Sequence, residues 1–346
     1  MRHTPPMTDH LSGATKTRSL ELRELSLSVP IEGEHVTAVA GVSLTLHPGR
    51  VLGLVGESGC GKSLTAQAML RLGEHQGVVR EGGDILLDGE SLFSMDEESL
   101  RKVRGGHLSM VFQEPMTALN PVFSIGSQIT EVILLHLDMD RNEANARALK
   151  LLQDVGMPDP EAVLKQYPDA LSGGMRQRVL IAMAMAGEPA YIVADEPTTA
   201  LDVSVQKRII LLLRNLQLDR NLGMLLVTHD FGLVAEMADD VAVMYAGQIV
   251  ESGTVEEIFN KPMHPYTRAL MGCRPEVTAP GVLMPVIAGQ VPPPGSWPSG
   301  CHFAERCPLA DDACLEPIAV DAWSDAEHQV RCVHAEAKIP ELEVAI

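Results

Sequence analysis

Gly56-Glu57-Ser58-Gly59-Cys60-Gly61-Lys62-Ser63 follows the apolar run Val51-Leu52-Gly53-Leu54-Val55 and precedes Leu64-Thr65-Ala66-Gln67-Ala68-Met69-Leu70, whose apolar residues recur at helical spacing. The order strand, glycine loop, helix is the context in which such a stretch binds phosphate. Glycines let successive backbone N–H groups turn inward around an anion, and the start of the helix adds partial positive charge. Lys62 reaches the outer phosphates and Ser63 can hold magnesium. A loop of this kind implies a nucleoside triphosphate and nothing more specific, so the function has to come from the rest of the chain.

The 346 residues are 45% apolar and 21% charged, enough to bury a large core in one sizeable domain with an appendage. No run of about 18 apolar residues occurs; the best candidate, Val179 to Met185, is cut off by Gly187, Glu188 and Pro189. Residues 1–18 are polar and lack a signal-peptide core, so they are expected to be a flexible leader on a cytoplasmic protein. The net charge of −19, from 46 acidic against 27 basic side chains, opposes nucleic acid as the main partner, because duplex binding gains affinity by neutralising phosphates. It equally opposes adhesion to anionic lipid, so membrane association is expected to run through a protein. The six cysteines do not read as a disulfide framework in a reducing compartment. Cys60 and Cys273 stand alone, whereas Cys301, Cys307, Cys314 and Cys332 gather near the C-terminus, where four thiolates suit iron–sulfur or zinc. The simpler alternative is four unliganded thiols.

Alternating apolar residues from Ser19 to Val29, a second such stretch from Val36 to Leu46, and the short strand and turn at Gly82 to Gly89 predict an antiparallel β-layer. Leu108 to Phe112, Tyr191 to Ala194, Met224 to Val227 and Val241 to Tyr245 read as further strands, with a helix from Val203 to Leu216 among them. Strands alternating with helices predict an α/β fold around a parallel sheet. From Ile125 to about Leu152, and again from about Gly174 to Ala186, the pattern is helical, which predicts a helical subdomain inserted at about residues 114–188. Its Met and Leu stripe reads as core packing. Pro275 to Pro298, with Pro292-Pro293-Pro294, reads as an extended, semi-rigid linker to the cysteine-bearing tail.

Parallel sheets bind ligands at the C-terminal ends of their strands, and the candidate polar residues cluster there. Asp195 and Glu196 end the strand that starts at Tyr191, so Asp195 can hold magnesium through water while Glu196 acts as the base on the attacking water. Gln113 and His229 follow two other strands; the amide can touch magnesium and the water, and the imidazole can donate to the γ-phosphate. Ser172-Gly173-Gly174 opens a helix that carries Arg176 and Arg178 and forms a second anion-binding N-terminus, although Ser172 as a plain helix cap explains it equally. Two phosphate-reading elements in one chain suggest a two-fold dimer in which each P-loop nucleotide is covered by the partner's Ser-Gly-Gly.

Gly56 to Ser63, Gln113, Leu171 to Met175, Tyr191 to Glu196, Ala200-Leu201-Asp202 and His229, in that order, resemble the ATP-binding subunit of an ABC transporter over residues 19 to about 272. The resemblance implies Walker A, Q-loop, signature, Walker B, D-loop and switch-histidine roles for these residues, with ATP and Mg2+ sandwiched at a head-to-tail dimer interface. Gln113-Glu114-Pro115-Met116-Thr117-Ala118-Leu119-Asn120-Pro121, Met175-Arg176-Gln177-Arg178 and His264-Pro265-Tyr266-Thr267-Arg268-Ala269-Leu270 are similar to the peptide/nickel importers, as is Gly300-Cys301-His302-Phe303-Ala304-Glu305-Arg306-Cys307-Pro308. That branch implies a C-terminal extension over 273–346 in which Cys301, Cys307, Cys314 and Cys332 match ligands of a [4Fe-4S] cluster. It also implies permease subunits, a second ATP-binding subunit in a heterodimer, an extracytoplasmic substrate-binding protein, and a peripheral place on the cytoplasmic face of the inner membrane. Di- or oligopeptides are the expected cargo, with nickel or a metal chelate as the alternative and an ABC-type ATPase of DNA repair or translation as the reading from another class. The chain departs from the family in placing Val29 where an aromatic ring usually stacks on adenine, and Met175 where the wider family has glutamine.

Overall fold

Alternation along the first strands sorts their side chains between two faces, and the face lined by Leu20, Leu22, Leu25 and Leu27 is buried. In the computed structural model, which describes residues 19–199, 201–273, 286–318, 321–322 and 328–335, β1 (Leu20–Ile31) pairs antiparallel with β2 (Glu34–Leu46). The chain then leaves this layer through β3 (Val51–Val55) and α1 (Lys62–Ala68), and returns in β4 (Val79–Leu87) and β5 (Glu90–Ser91). The resulting sheet, ordered β2-β1-β4-β5, is the antiparallel layer expected from the sequence.

The second sheet holds the parallel strands. After α2 (Glu97–Gly106), β6 (Leu108–Val111) forms one edge of a series that runs β6, β7 (Tyr191–Asp195), β8 (Gly223–Thr228), β3 and β9 (Asp240–Tyr245), every neighbouring pair parallel. Strands of this kind are buried on both faces and therefore read as continuous apolar runs; β3, β7 and β8 have no exposed residue. Beyond β9 the pairing turns antiparallel through β10 (Gln248–Thr254), β12 (Gln329–Val330) and β11 (Asp321–Ala322). Leu22, Val39, Leu54, Ile85 and Val193 share one apolar cluster that joins the two sheets.

Between β6 and β7 lie α3 (Pro115–Ala118), α4 (Ile125–His136), α5 (Arg141–Asp154), α6 (Pro160–Lys165) and α7 (Gly173–Met185). Ile129, Ile133, Ala148, Leu152 and Val179 from this group pack in one cluster with Ile192 and Met224 of the sheet, so the stripe does serve packing. The single helical stretch read from Ile125 to Leu152 is in fact two helices. Leu137 is extended (φ −118°, ψ 142°), and Asp140 then caps α5 by accepting from the N–H groups of Asn142 and Glu143 while Glu143 accepts from the Asp140 N–H. This capping box terminates the periodicity from the far side.

After β7 come α8 (Val203–Arg220), α9 (Phe231–Met237), α10 (Val255–Asn260) and α11 (Pro265–Gly272). The extension that follows is fastened to them. The part of the proline-rich stretch within the described residues is folded back rather than extended: Ser296 N–H donates to Pro293 O, Trp297 Nε1 donates to Pro292 O, and Gly295 takes φ +87°. Glu251 of β10, 1% exposed, accepts from Met263 N–H, His264 N–H and His328 Nε2 at 2.7–2.9 Å, so one buried carboxylate joins β10, the start of α11 and the tail. Residues 1–18, expected from the sequence to be a flexible leader, lie outside the described residues, as does Ala200.

Removing the Glu251 carboxylate leaves its donors unpaired inside the protein. Glu251→Ala is expected to lower unfolding free energy by about 3 kcal/mol, against about 1 kcal/mol for Asp140→Ala at the exposed cap, both read from urea denaturation.

Candidate functional site

The P-loop turns between β3 and α1 with a positive φ at three of its residues. Gly56, Gly59 and Gly61 take φ +155°, +81° and +106°, and a Cβ on Gly56 would stand 2.2 Å from the Met244 carbonyl oxygen of β9. At Gly56 only glycine meets both demands. Lys62, 5% exposed, donates from Nζ to the carbonyls of Gly56 (2.8 Å) and Glu57 (2.9 Å), with Cys60 Sγ at 3.7 Å. The ammonium is thus held inside the loop's own curve, facing the anion nest.

Two strands away, Asp195 ends β7 and accepts from Ser63 Oγ at 2.9 Å. Burial pushes its carboxyl above the ordinary range, as does the Glu196 charge, while Ser63 and Lys62 oppose the rise. Glu196 follows in the left-handed region at φ +43°, a costly backbone for a non-glycine residue and a mark of functional turns. There it collects donors from three directions: Oε2 accepts from Gln113 Nε2 (3.0 Å) and Thr199 Oγ1 (2.7 Å), and Oε1 faces His229 Nδ1 at 3.2 Å. Burial raises its carboxyl, but the hydrogen bonds from Thr199 and His229 outweigh this and hold it below the usual carboxylate range. Glu196 is therefore ionised at neutral pH and placed as an acceptor.

Ser63, predicted from the P-loop, and Gln113, Asp195, Glu196 and His229, predicted from strand ends, thus come together around the adjacent carboxylates of Asp195 and Glu196. Ser172, Gly173, Gly174 and Asp202 do not join it. Ser172 caps α7 through Met175 N–H, Asp202 caps α8 through Ser204 and Val205 N–H, and all four line a separate cavity of about 570 Å³ with Arg178 and Arg208, to which no residue of the P-loop contributes. Val29 lies opposite Val36 near the turn that joins β1 to β2.

The sequence reading missed three partners. Thr199 sits in the turn after Glu196 and carries a hydroxyl that any turn could carry. Tyr266 of α11 accepts from the Glu57 N–H at 2.9 Å, and Arg306 of the extension pairs with the Glu57 carboxylate at 2.7 and 3.0 Å. His264, buried and held neutral with its pKa lowered to about 4 by burial, accepts from Tyr266 N–H and so fixes the helix start that delivers the Tyr266 hydroxyl.

Residues 39–199 match the family described as ABC transporter, and residues 250–314 match the oligopeptide/dipeptide transporter C-terminal region. A peptide import ATP-binding protein of Brucella abortus is 46% identical over 298 residues, covering 86% of this chain and 90% of that protein. The chain belongs to the ABC transporter family, in its oligopeptide/dipeptide branch. The oligopeptide transport ATP-binding protein AppD of Bacillus subtilis is likewise 46% identical, over 295 residues, with 85% and 90% covered. Among solved structures, the dimeric ATP-binding cassette MJ0796 in a post-hydrolysis state with ADP and Pi matches 68% of this chain and 98% of its own at 25% identity and a TM-score of 0.61.

For an ABC ATPase, the residues present fit ATP and magnesium: an N–H-lined glycine loop, an ammonium behind it, and a hydroxyl already bonded to a buried carboxylate. In the tail, the four cysteines singled out from the sequence do not come within 4.8 Å of one another as one group among the described residues. Cys301 and Cys314 are buried and Cys307 and Cys332 half-buried; burial pushes Cys301 up to about 11 and Cys332 up to about 12. Backbone N–H groups of Leu309 and His334 point at Cys307 Sγ (3.4 Å) and Cys332 Sγ (3.3 Å), the kind of contact that stabilises sulfur ligands. Asp311 and His334, which the sequence did not single out, bring ligand atoms within 4.8 Å of each other and of Cys314 Sγ.

Because the folded-state pKa of Asp195 is raised, its ionisation opposes folding: the stability it lends below its unfolded value near 3.8 is lost as pH rises through the folded value. Asp195→Asn keeps an acceptor for Ser63 and is expected to raise the melting temperature at pH 7 without nucleotide, while abolishing the further rise that Mg-ATP gives the parent chain.

Proposed function

We infer that this chain is the ATP-hydrolysing subunit that energises a membrane importer for di- or oligopeptides. The observation that carries the catalytic half is the ionised Glu196 carboxylate, held by Gln113, Thr199 and His229 beside the Ser63–Asp195 pair. The cargo half is supported by the relatives named for peptide import and by the match of residues 250–314.

In this reading the P-loop N–H groups from Gly59 to Ser63 and the Lys62 ammonium bind the β- and γ-phosphates. Ser63, Gln113 and Asp195 would hold magnesium, whose charge offsets that of the phosphates. Glu196 orients the attacking water and takes its proton, Gln113 fixes the water's position, and His229 donates to the γ-phosphate oxygen on which charge develops. One chain leaves the nucleotide uncovered, since Ser172 to Gly174 and Asp202 line a different cavity. A second ATP-binding subunit therefore supplies its own signature across a head-to-tail interface, and the two are related but distinct proteins. Met116, Val122 and Phe123, exposed just beyond Gln113, offer the apolar surface for the permease's cytoplasmic segments. No helix among the described residues is long and apolar enough to cross a membrane, and the chain works as a peripheral subunit on the cytoplasmic face of the inner membrane, beneath an extracytoplasmic substrate-binding protein. Residues 19–272 form the ATPase domain and 273–346 its extension, in which Cys301, Cys307, Cys314 and Cys332 hold a [4Fe-4S] cluster or zinc.

Glu196→Gln is expected to cut ATP turnover by at least about 100-fold while ATP still binds, leaving an ATP-bound dimer that survives gel filtration; turnover at the parent rate would show that another group is the base. Anaerobically purified protein is expected to carry stoichiometric iron with a visible absorbance band, or stoichiometric zinc without one, and Cys301→Ser to lose it.

A further inference from the structure

Glu57 is an anomaly in its setting. It puts a carboxylate inside the loop whose task is to bind phosphate, where a free negative charge opposes the ligand. Its side chain is turned outward, and the group that meets it comes from 249 residues away. Arg306 donates from Nη1 to Glu57 Oε2 at 2.7 Å and from Nη2 to Oε1 at 3.0 Å, the two-point geometry of the strongest ion pairs.

The guanidinium is built in rather than laid on. Its side chain is only 5% exposed. Nε donates to Ala288 O (2.8 Å), Nη2 also to Ile287 O (3.2 Å) and Nη1 also to Tyr245 OH (3.3 Å), while the rings of Tyr245 and Phe303 lie 5.7 and 5.8 Å from its central carbon. Tyr245 ends β9, so the arginine bridges the extension, the sheet and the P-loop. The rest of Glu57 is held as well: its N–H by the Tyr266 hydroxyl, and its carbonyl by Lys62 Nζ at 2.9 Å. A path of two contacts therefore runs from the extension to the lysine that reaches the phosphates: Arg306 to the Glu57 side chain, and the Glu57 carbonyl to Lys62.

We propose that Arg306 is a positioning residue for ATP: by neutralising and fixing Glu57 from outside the loop, it keeps the nest electropositive and sets where Lys62 rests. The proposal rests on the ATPase reading above and gives the extension a task at the nucleotide site itself. Its consequence has a sign that mere packing does not share. Losing Arg306 leaves an uncompensated negative charge beside the phosphates, and the harm is relieved by removing that charge.

The test uses the full chain in its transporter complex, with ATP affinity and the KM and kcat of hydrolysis measured for the parent, Arg306→Gln, Arg306→Lys and the double variant Arg306→Gln with Glu57→Gln. Arg306→Gln is expected to raise KM and Kd for ATP about ten-fold, with kcat within about two-fold of the parent, the size of one uncompensated charge nearby at an effective dielectric of about 20. The double variant is expected to recover most of that loss, and Arg306→Lys, which keeps the charge, to lose no more than about three-fold. A KM for Arg306→Gln within about two-fold of the parent, or a double variant as weak as Arg306→Gln, overturns the proposal. A parent complex that binds and hydrolyses no ATP overturns the ATPase reading instead, so the two failures are distinct.

Discussion

The site depends on the close passage of the P-loop over β9, where a Cβ on Gly56 would meet the Met244 carbonyl at 2.2 Å. That closeness is possible because β3 lies in the middle of the parallel series, between β8 and β9, so the loop leaves the sheet with strands on both sides. The rest of the site is placed by the same sheet. β7 and β8 run parallel to β3 and end at the same edge, which sets Asp195 against Ser63 and brings His229 to Glu196. β6 extends the series by one strand and delivers Gln113 to the other side of the same carboxylate.

The contacts at this edge are those that a substrate must exchange. Lys62 is bonded to loop carbonyls, and Glu196 spends both oxygens on Gln113, Thr199 and His229. For Lys62 to meet a phosphate or Glu196 to meet a water, bonds of this set have to be exchanged, because a buried polar group left unpaired is costly. The left-handed backbone at Glu196 holds the carboxylate at that junction at a conformational cost that the surrounding contacts offset. On the far side of the loop, Tyr266 and Arg306 hold Glu57 from α11 and from the extension, so the motif His264-Pro265-Tyr266 and the arginine of the cysteine-bearing tail serve the same loop.

What the sequence disclosed follows from the range of each interaction. Gln113, Asp195, Glu196 and His229 were legible because each ends an apolar run, and a parallel sheet turns strand ends into neighbours. The capping box at Asp140 and Glu143 was written in the sequence too, but Leu137 and Met139 carried the apolar pattern across the gap and hid the break between α4 and α5. Pro292-Pro293-Pro294 suggested a rod because composition says nothing of Gly295, whose positive φ folds the segment back. Glu57's partners at positions 266 and 306 had no local signal at all: an arginine and a tyrosine far along the chain find it only through the fold. The spacing of Cys301, Cys307, Cys314 and Cys332 drew attention to the tail, but the ligand atoms that the fold brings within 4.8 Å of one another there are those of Asp311, Cys314 and His334.

The central claim is that ATP hydrolysis at Glu196 drives peptide across a membrane. It is tested most directly by reconstituting the chain with candidate permease and ATP-binding subunits in proteoliposomes, and measuring uptake of labelled di- and oligopeptides delivered by a binding protein. The account predicts uptake that requires ATP on the side of this subunit and stops with Glu196→Gln; uptake that proceeds equally with that variant, or ATP hydrolysis that no peptide stimulates, would contradict it.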